Sequence, residues 1–229
     1  MRHAVRGFGE VLITAGLIVL LFVAYELVWT NFESDRHTDQ VTNSLRGQWA
    51  DPPVSGHGSG NVGSSTFVKG KGFAFLHIPA LGKNWSRPVV QGVSLPDLAR
   101  GVGHYPKTAL PGEVGNFAVA GHRATNGQPF AYLDKVHPGD VVVAETRTMW
   151  FTYVVDRTKI VSPDSFWVLD PVPGHPNKQP TQPLLTLTTC NPRWGSTGRL
   201  IVFGHLEEAR TKSAGPPPVL VHHKKKATA

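Results

Sequence analysis

The sequence predicts an all-β fold: a closed barrel of eight short strands carried behind one membrane-spanning helix. Three observations lead there. The 229-residue chain opens on an apolar run broken only by Glu26, and a Gly-, Ser- and Pro-rich stretch follows. From Phe73 onward, short β-rich runs alternate with Gly, Pro, Asn and Asp, which is how an all-β domain is punctuated.

Residues 1–10 carry Arg2 and Arg6 and are expected on the cytoplasmic side, because basic residues flank spans there. Val11 to Thr30, 20 residues as 30 − 11 + 1, would as a helix match a hydrocarbon layer of about 30 Å. The run ends in Tyr25, Glu26, Leu27, Val28 and Trp29 rather than in a small-residue cleavage site, which favours a retained anchor over a cleaved signal. Tyr25 and Trp29 suit the far interface, so the rest of the chain is expected outside the cell as the product of a single-pass topology.

Residues 31–70 contain Pro52, Pro53 and a cluster of Gly and Ser with few apolar residues, and are expected to form a flexible extracellular tether. Residues 71–208 hold the folded domain, about 140 residues, a common size for one core. Strands are expected near 73–78, 87–91, 116–120, 140–145, 149–155, 159–161, 184–189 and 199–206. Closing eight such strands removes the edges that invite aggregation. Two short helices are expected, over 95–100 and 130–134. The proline-rich segment 162–183 reads as a long ordered loop beside the barrel rim. Residues 209–229 form a basic, proline-containing tail.

The formal charge of +7 is partly the product of that tail and carries no nucleic-acid inference. Cys190 is the single cysteine, so internal disulfides cannot stabilise the domain. A free cysteine is by default a small buried hydrophobe. Cys190, however, ends the strand Leu184–Thr189 and is followed by Asn191 and Pro192, which stop pairing and leave the thiol where a substrate can reach it. After a turn containing Gly195 and Gly198, Arg199 opens the next strand, and an antiparallel return brings it beside Cys190. A guanidinium stays charged and offers planar donors to a thiolate or an oxyanion. Of the 11 histidines, His3, His37, His57, His222 and His223 fall outside the domain; His77, His104, His122, His137, His175 and His205 remain. His122 follows Gly115–Gly121 at another strand end, where a neutral imidazole can take a thiol proton and later return it to an amine.

Thr186-Leu187-Thr188-Thr189-Cys190, Ala120-Gly121-His122 and Arg199-Leu200-Ile201-Val202 together resemble the three active-site segments of the sortase family, in family order, over about Phe73 to Leu206. The resemblance implies a sortase-like barrel and a cysteine transpeptidase with Cys190 as nucleophile, His122 as proton-transfer partner and Arg199 as electrostatic stabiliser. It implies secreted substrates bearing a C-terminal sorting signal, cut between Thr and Gly through a thioester, with a cell-wall peptidoglycan precursor amine as acceptor. No cofactor or metal is implied. Gly103-His104-Tyr105-Pro106 and Gly112-Glu113-Val114-Gly115-Asn116 resemble the class E sortases of high-GC Gram-positive bacteria, which favour L-A-x-T-G over L-P-x-T-G signals. That likeness places Tyr105 near the signal's second residue and gives Thr189 a substrate-side role. A hydrolytic cysteine peptidase or L,D-transpeptidase, and a non-catalytic wall-binding module in which Cys190 is structural, are the rival readings.

Overall fold

The computed structural model describes residues 2–50 and 68–221. Helix α1, Arg2–Ala50, contains one stretch, Arg6–Val23, long and apolar enough to cross a membrane. The helix does not stop beyond it. The stretch expected to be flexible from residue 31 is helical through Ala50, while the Gly- and Ser-rich residues 51–67 lie outside the described residues. Ser34, Val41, Leu45 and Trp49 recur at seven- and four-residue spacing and so share one face of the helix. That face lies on the barrel: Val41 and Leu45 sit against Gly72, and the Trp49 ring meets the edge of Phe75 at a centroid distance of 5.3 Å. A stripe of four residues is sparse in the linear sequence yet sufficient to dock a helix.

The barrel comprises β1 (Gly72–His77), β2 (Ser86–Gln91), β3 (Val102–His104), β4 (Gly115–Ala120), β5 (Val141–Glu145), β6 (Met149–Val161), β7 (Pro183–Asn191) and β8 (Gly198–Thr211). They close in the order β1-β2-β3-β4-β7-β8-β6-β5, with β5 returning to β1. The pairs β2–β3 and β4–β7 are parallel and the others antiparallel. The eight strands differ from those expected in two offsetting ways. Residues 149–155 and 159–161 belong to one strand, β6, whose ladder with β8 shifts register between Val155 and Arg157. The three-residue β3 has no counterpart in the sequence reading, because Gly101 and Gly103 interrupt its apolar signal. Of the expected helices, the first is α2 (Leu95–Leu98), capped by Ser94 and Asp97, and the second is a 3-10 turn at Leu133–Lys135. The basic tail begins later than residue 209, since β8 continues to Thr211 and Lys212 packs over the Trp150 ring at 3.8 Å.

Side chains alternate across each strand. Phe117 and Val119 of β4, Leu185 and Leu187 of β7, and Leu200 and Val202 of β8 point into one core with Tyr153, Phe130 and Leu76. The outward Ile201 and Phe203 pack with Val168, Trp167 and Leu169, so the proline-rich loop lies as a lid over β8. Asn116, 1% exposed, fastens that loop. Its Nδ2 donates to Val168 O at 3.0 Å and Asp170 O at 3.1 Å, and its Oδ1 accepts from Thr186 Oγ1 at 2.8 Å. Asn116→Leu leaves these groups unpaired, and a loss of about 2 kcal/mol is expected. The matching fall in Tm is roughly 4–8 °C, measurable by thermal melting, with faster proteolysis within 162–182.

Glu145 closes the opposite side of the barrel. Its side chain is 1% exposed and is held by Arg46 of α1 through two bonds of 2.6 and 2.9 Å, by His77 at 2.7 Å and by Lys212. Burial raises the pKa of this carboxyl, and the bonds from His77, Arg46 and Lys212 outweigh that and lower it to about 2.

Candidate active site

The candidate chemistry-bearing residues lie on β7, on β8 and in the loop that leaves β4. In β7 the inward positions are Leu185 and Leu187, so Thr186, Thr188 and Cys190 face outward. Cys190 is half-buried and is the register partner of Arg199 on β8, which places their side chains on the same face. On the other side, the parallel ladder ends with Ala120 opposite Thr188. Gly121 N still donates to Thr188 O, and His122, just beyond the ladder, lines the same cavity as Cys190. Cys190 therefore shares a cavity with His122 and a register position with Arg199.

Gly121 permits this turn. A side chain there would strike the Phe130 ring at 2.6 Å. Its amide donates to Thr188 O at 3.1 Å and its carbonyl accepts from Thr189 Oγ1 at 2.8 Å, so the approach to His122 is pinned to β7 twice. Thr189 is 3% exposed and faces inward by strand alternation. The hydroxyl that the sequence reading assigned to the substrate side is directed instead at the backbone ahead of His122.

His122 lines a cavity of about 300 Å³ together with Arg123, Thr125, Cys190, Arg193 and Trp194. Its Nε2 is buried without a hydrogen-bond partner among the described residues, and burial lowers its pKa below the ordinary 6.5. The ring is thus neutral at pH 7 and able to accept a proton. The other histidines of the domain are otherwise engaged or exposed. His104 is a core residue held by Gln91, Ala109 O and Thr108, with burial lowering its pKa to about 4. His77 is bound to Glu145 and His205 to Asp156, while His137 and His175 are exposed.

Arg199 donates through Nη1 to Ser196 O at 3.0 Å and Gly198 O at 2.9 Å, which anchors the guanidinium and leaves Nε and Nη2 without partners among the described residues. It lines a second, narrower cavity of about 80 Å³ with Tyr105, Thr188, Ile201 and the 162–169 segment. The Tyr105 hydroxyl lies 3.3 Å from Thr188 Oγ1. Cys190 lines the larger cavity and its register partner Arg199 the narrower one.

Arg123 is a site residue that the sequence reading missed. It is 7% exposed, donates through Nη1 to Cys190 O at 3.2 Å and Asn191 Oδ1 at 2.7 Å, and pairs through Nη2 with Asp134 at 3.0 Å. It ties the backbone of the thiol residue to the residue after the imidazole. The signal was only its adjacency to His122. Arg123→Met is expected to lower kcat about 10- to 100-fold by letting the thiol and imidazole drift, with KM nearly unchanged and partial rescue by Arg123→Lys in steady-state kinetics.

The sortase domain family matches residues 76–207. The chain is 41% identical over 226 residues to Sortase SrtE1 of Streptomyces coelicolor, covering 95% of this chain and 61% of that protein. It therefore spans about three fifths of that relative's length. The solved sortase E from Streptomyces avermitilis is 44% identical with a TM-score of 0.62, covering 67% of this chain and 99% of that one. Sortase E1 from Streptomyces coelicolor, solved with a tripeptide in the active site, is 40% identical with a TM-score of 0.61, covering 68% and 99%.

Proposed function

The chain belongs to the sortase family, and on that premise we propose that it is a membrane-anchored cysteine transpeptidase that cuts a C-terminal sorting signal between Thr and Gly and joins the new threonine carbonyl to a cell-wall amine. The observation that supports this reading is that Cys190 shares a cavity with His122 and is the register partner of Arg199.

Cys190 Sγ attacks the threonine carbonyl as His122 takes the thiol proton. The tetrahedral oxyanion is met by the free donors of Arg199. The C–N bond then breaks, His122 passes its proton to the departing glycine amine, and the acyl group remains on sulfur as a thioester. An incoming amine loses a proton to His122 as it attacks, and collapse expels the thiol, which regains that proton. Because the thioester conserves the reactivity of the cleaved amide, no nucleotide is consumed. Arg199 and Tyr105 border the narrow cavity in which the signal would lie, and its size supports a small residue such as alanine at the second position. Thr189 acts as a positioning residue through Gly121. The relative solved with a tripeptide in its active site supports a peptide substrate for this chain. The catalytic domain lies outside the cell in this reading.

The test is an acyl-transfer assay with L-A-x-T-G and L-P-x-T-G peptides and an excess of amine. Amide product forms, faster from the alanine peptide. Release of the free threonine acid alone, with acceptor abundant, would establish the hydrolytic alternative.

A further inference from the structure

Helix α1 runs without a break from the apolar stretch to Ala50, so the barrel's position along it fixes the distance between active site and bilayer. Ser34 is 2% exposed and lies against Gly127, with Ser34 Cβ at 3.4 Å and an Asp35 carboxylate oxygen at 3.7 Å from the position a Cβ would take there. Gly127 belongs to the loop that leaves His122, and Thr125 of that loop lines the Cys190 cavity. Ser34 is 11 residues beyond Val23 (34 − 23), about 16 Å at the helical rise. Counted from Thr30, the end of the apolar run, it is 4 residues, about 6 Å. A headgroup layer of roughly 5–8 Å covers most of that distance. Arg46 and Trp49, which reach Glu145 and Phe75, lie on the far end of the helix. The active-site end of the barrel is thus the end nearer the membrane.

The surface at that end has a distinct composition. Trp194 is 70% exposed and Tyr132 49% exposed. The Arg193 guanidinium lies over both rings, at 4.7 Å from Tyr132 and 5.3 Å from Trp194, and Lys135 covers Tyr132 at 4.6 Å. Arg193 also donates to Gln128, next to Gly127, so the patch is joined through one residue to the Ser34 contact. Asp134 of this surface is paired with Arg123. Amphipathic rings interleaved with Lys and Arg favour a membrane interface: the rings enter the headgroup level and the cations meet anionic lipid.

We propose that the Tyr132–Lys135–Arg193–Trp194 surface rests on the anionic headgroup layer of the bilayer that holds α1, so that the Cys190 cavity opens at the membrane surface. This rests on α1 spanning the bilayer, not on the transferase reaction. The experiment places the full chain in nanodiscs of zwitterionic or phosphatidylglycerol-containing lipid brominated high on the acyl chain. The Trp194 emission is taken as wild type minus Trp194→Phe. That emission is quenched, more strongly with the anionic lipid, and the quenching is lost in the Tyr132→Ser/Lys135→Glu variant and at high salt. Neither substituted residue lines the Cys190 cavity, so acylation by a water-soluble peptide and the thermal melt stay at wild-type values. Unquenched Trp194 in every bilayer, quenching that persists in the double variant, or emission that follows the number of chains per disc overturns the proposal. Because the readout is fluorescence, it stands apart from any failure of the transfer assay.

Discussion

Cys190→Ala is expected to abolish acyl transfer, lowering kcat by on the order of 10⁴- to 10⁶-fold, the scale on which loss of a covalent nucleophile registers. In the proposed mechanism the thiol supplies the bond that divides the reaction into two steps, a role that neither an imidazole proton carrier nor a guanidinium fills. Rapid acid quenching of the wild type with a signal peptide should trap an acyl-enzyme on the peptide containing Cys190, detected by intact-mass analysis, and the variant should show none. An adduct that forms equally well in Cys190→Ala would remove this residue from the mechanism. The pH profile provides a separate check. Burial lowers the His122 pKa below 6.5, so the imidazole stays neutral and able to take a proton as pH falls from 7. The acid limb of kcat/KM is accordingly expected below the ordinary histidine value, and in His122→Ala that limb should vanish along with most of the rate.

Glu145→Ala is expected to give the largest change in stability, about 3–5 kcal/mol, because removing one member of a buried ionic cluster leaves the others uncompensated. Three cationic or ionisable partners from distant parts of the chain, Arg46, His77 and Lys212, converge on this carboxylate. The variant should melt earlier and should also release the end of α1, read as increased hydrogen exchange over residues 41–50. The pH dependence has a definite sign. A carboxyl lowered from 4.5 to about 2 in the folded state contributes stability that is fully present above the unfolded value and is lost as pH falls through the folded one. The wild type is therefore expected to lose stability between about pH 4.5 and 2 by denaturant titration, and Glu145→Ala to show a shallower decline in that window.

The fold and site were legible in the sequence to different depths. Cys190, His122 and Arg199 could be picked out as candidates because each stands where an apolar strand meets a turn, a local property, and because the segments around them resemble those of the sortases. Arg123 could not, although it holds Cys190 O and Asn191, since a contact across 67 positions leaves no trace in local pattern. Asn116 reads as one polar residue inside a strand, and only the loop folded over it shows that its amide is the loop's fastening. Thr189 lies beside the nucleophile in sequence and on the opposite face of the strand in space, because consecutive side chains alternate.

The sequence by itself determined the apolar helix and the β-rich domain with its strand ends, since each depends on residue type and on periods of two or about 3.6 positions, and resemblance to sortase segments singled out Cys190, His122 and Arg199 as candidates. Tertiary structure decided the rest. The parallel pairing of β4 with β7 leads the chain into His122 at the cavity that Cys190 lines, and the antiparallel register of β7 on β8 sets Arg199 opposite Cys190. The run of α1 past the apolar segment, and its docking on the barrel through Leu45, Arg46 and Trp49, follow from partners that the helix meets only once the barrel has closed. Register and docking are fixed by which surfaces exclude water together, and that depends on residues far apart in the chain.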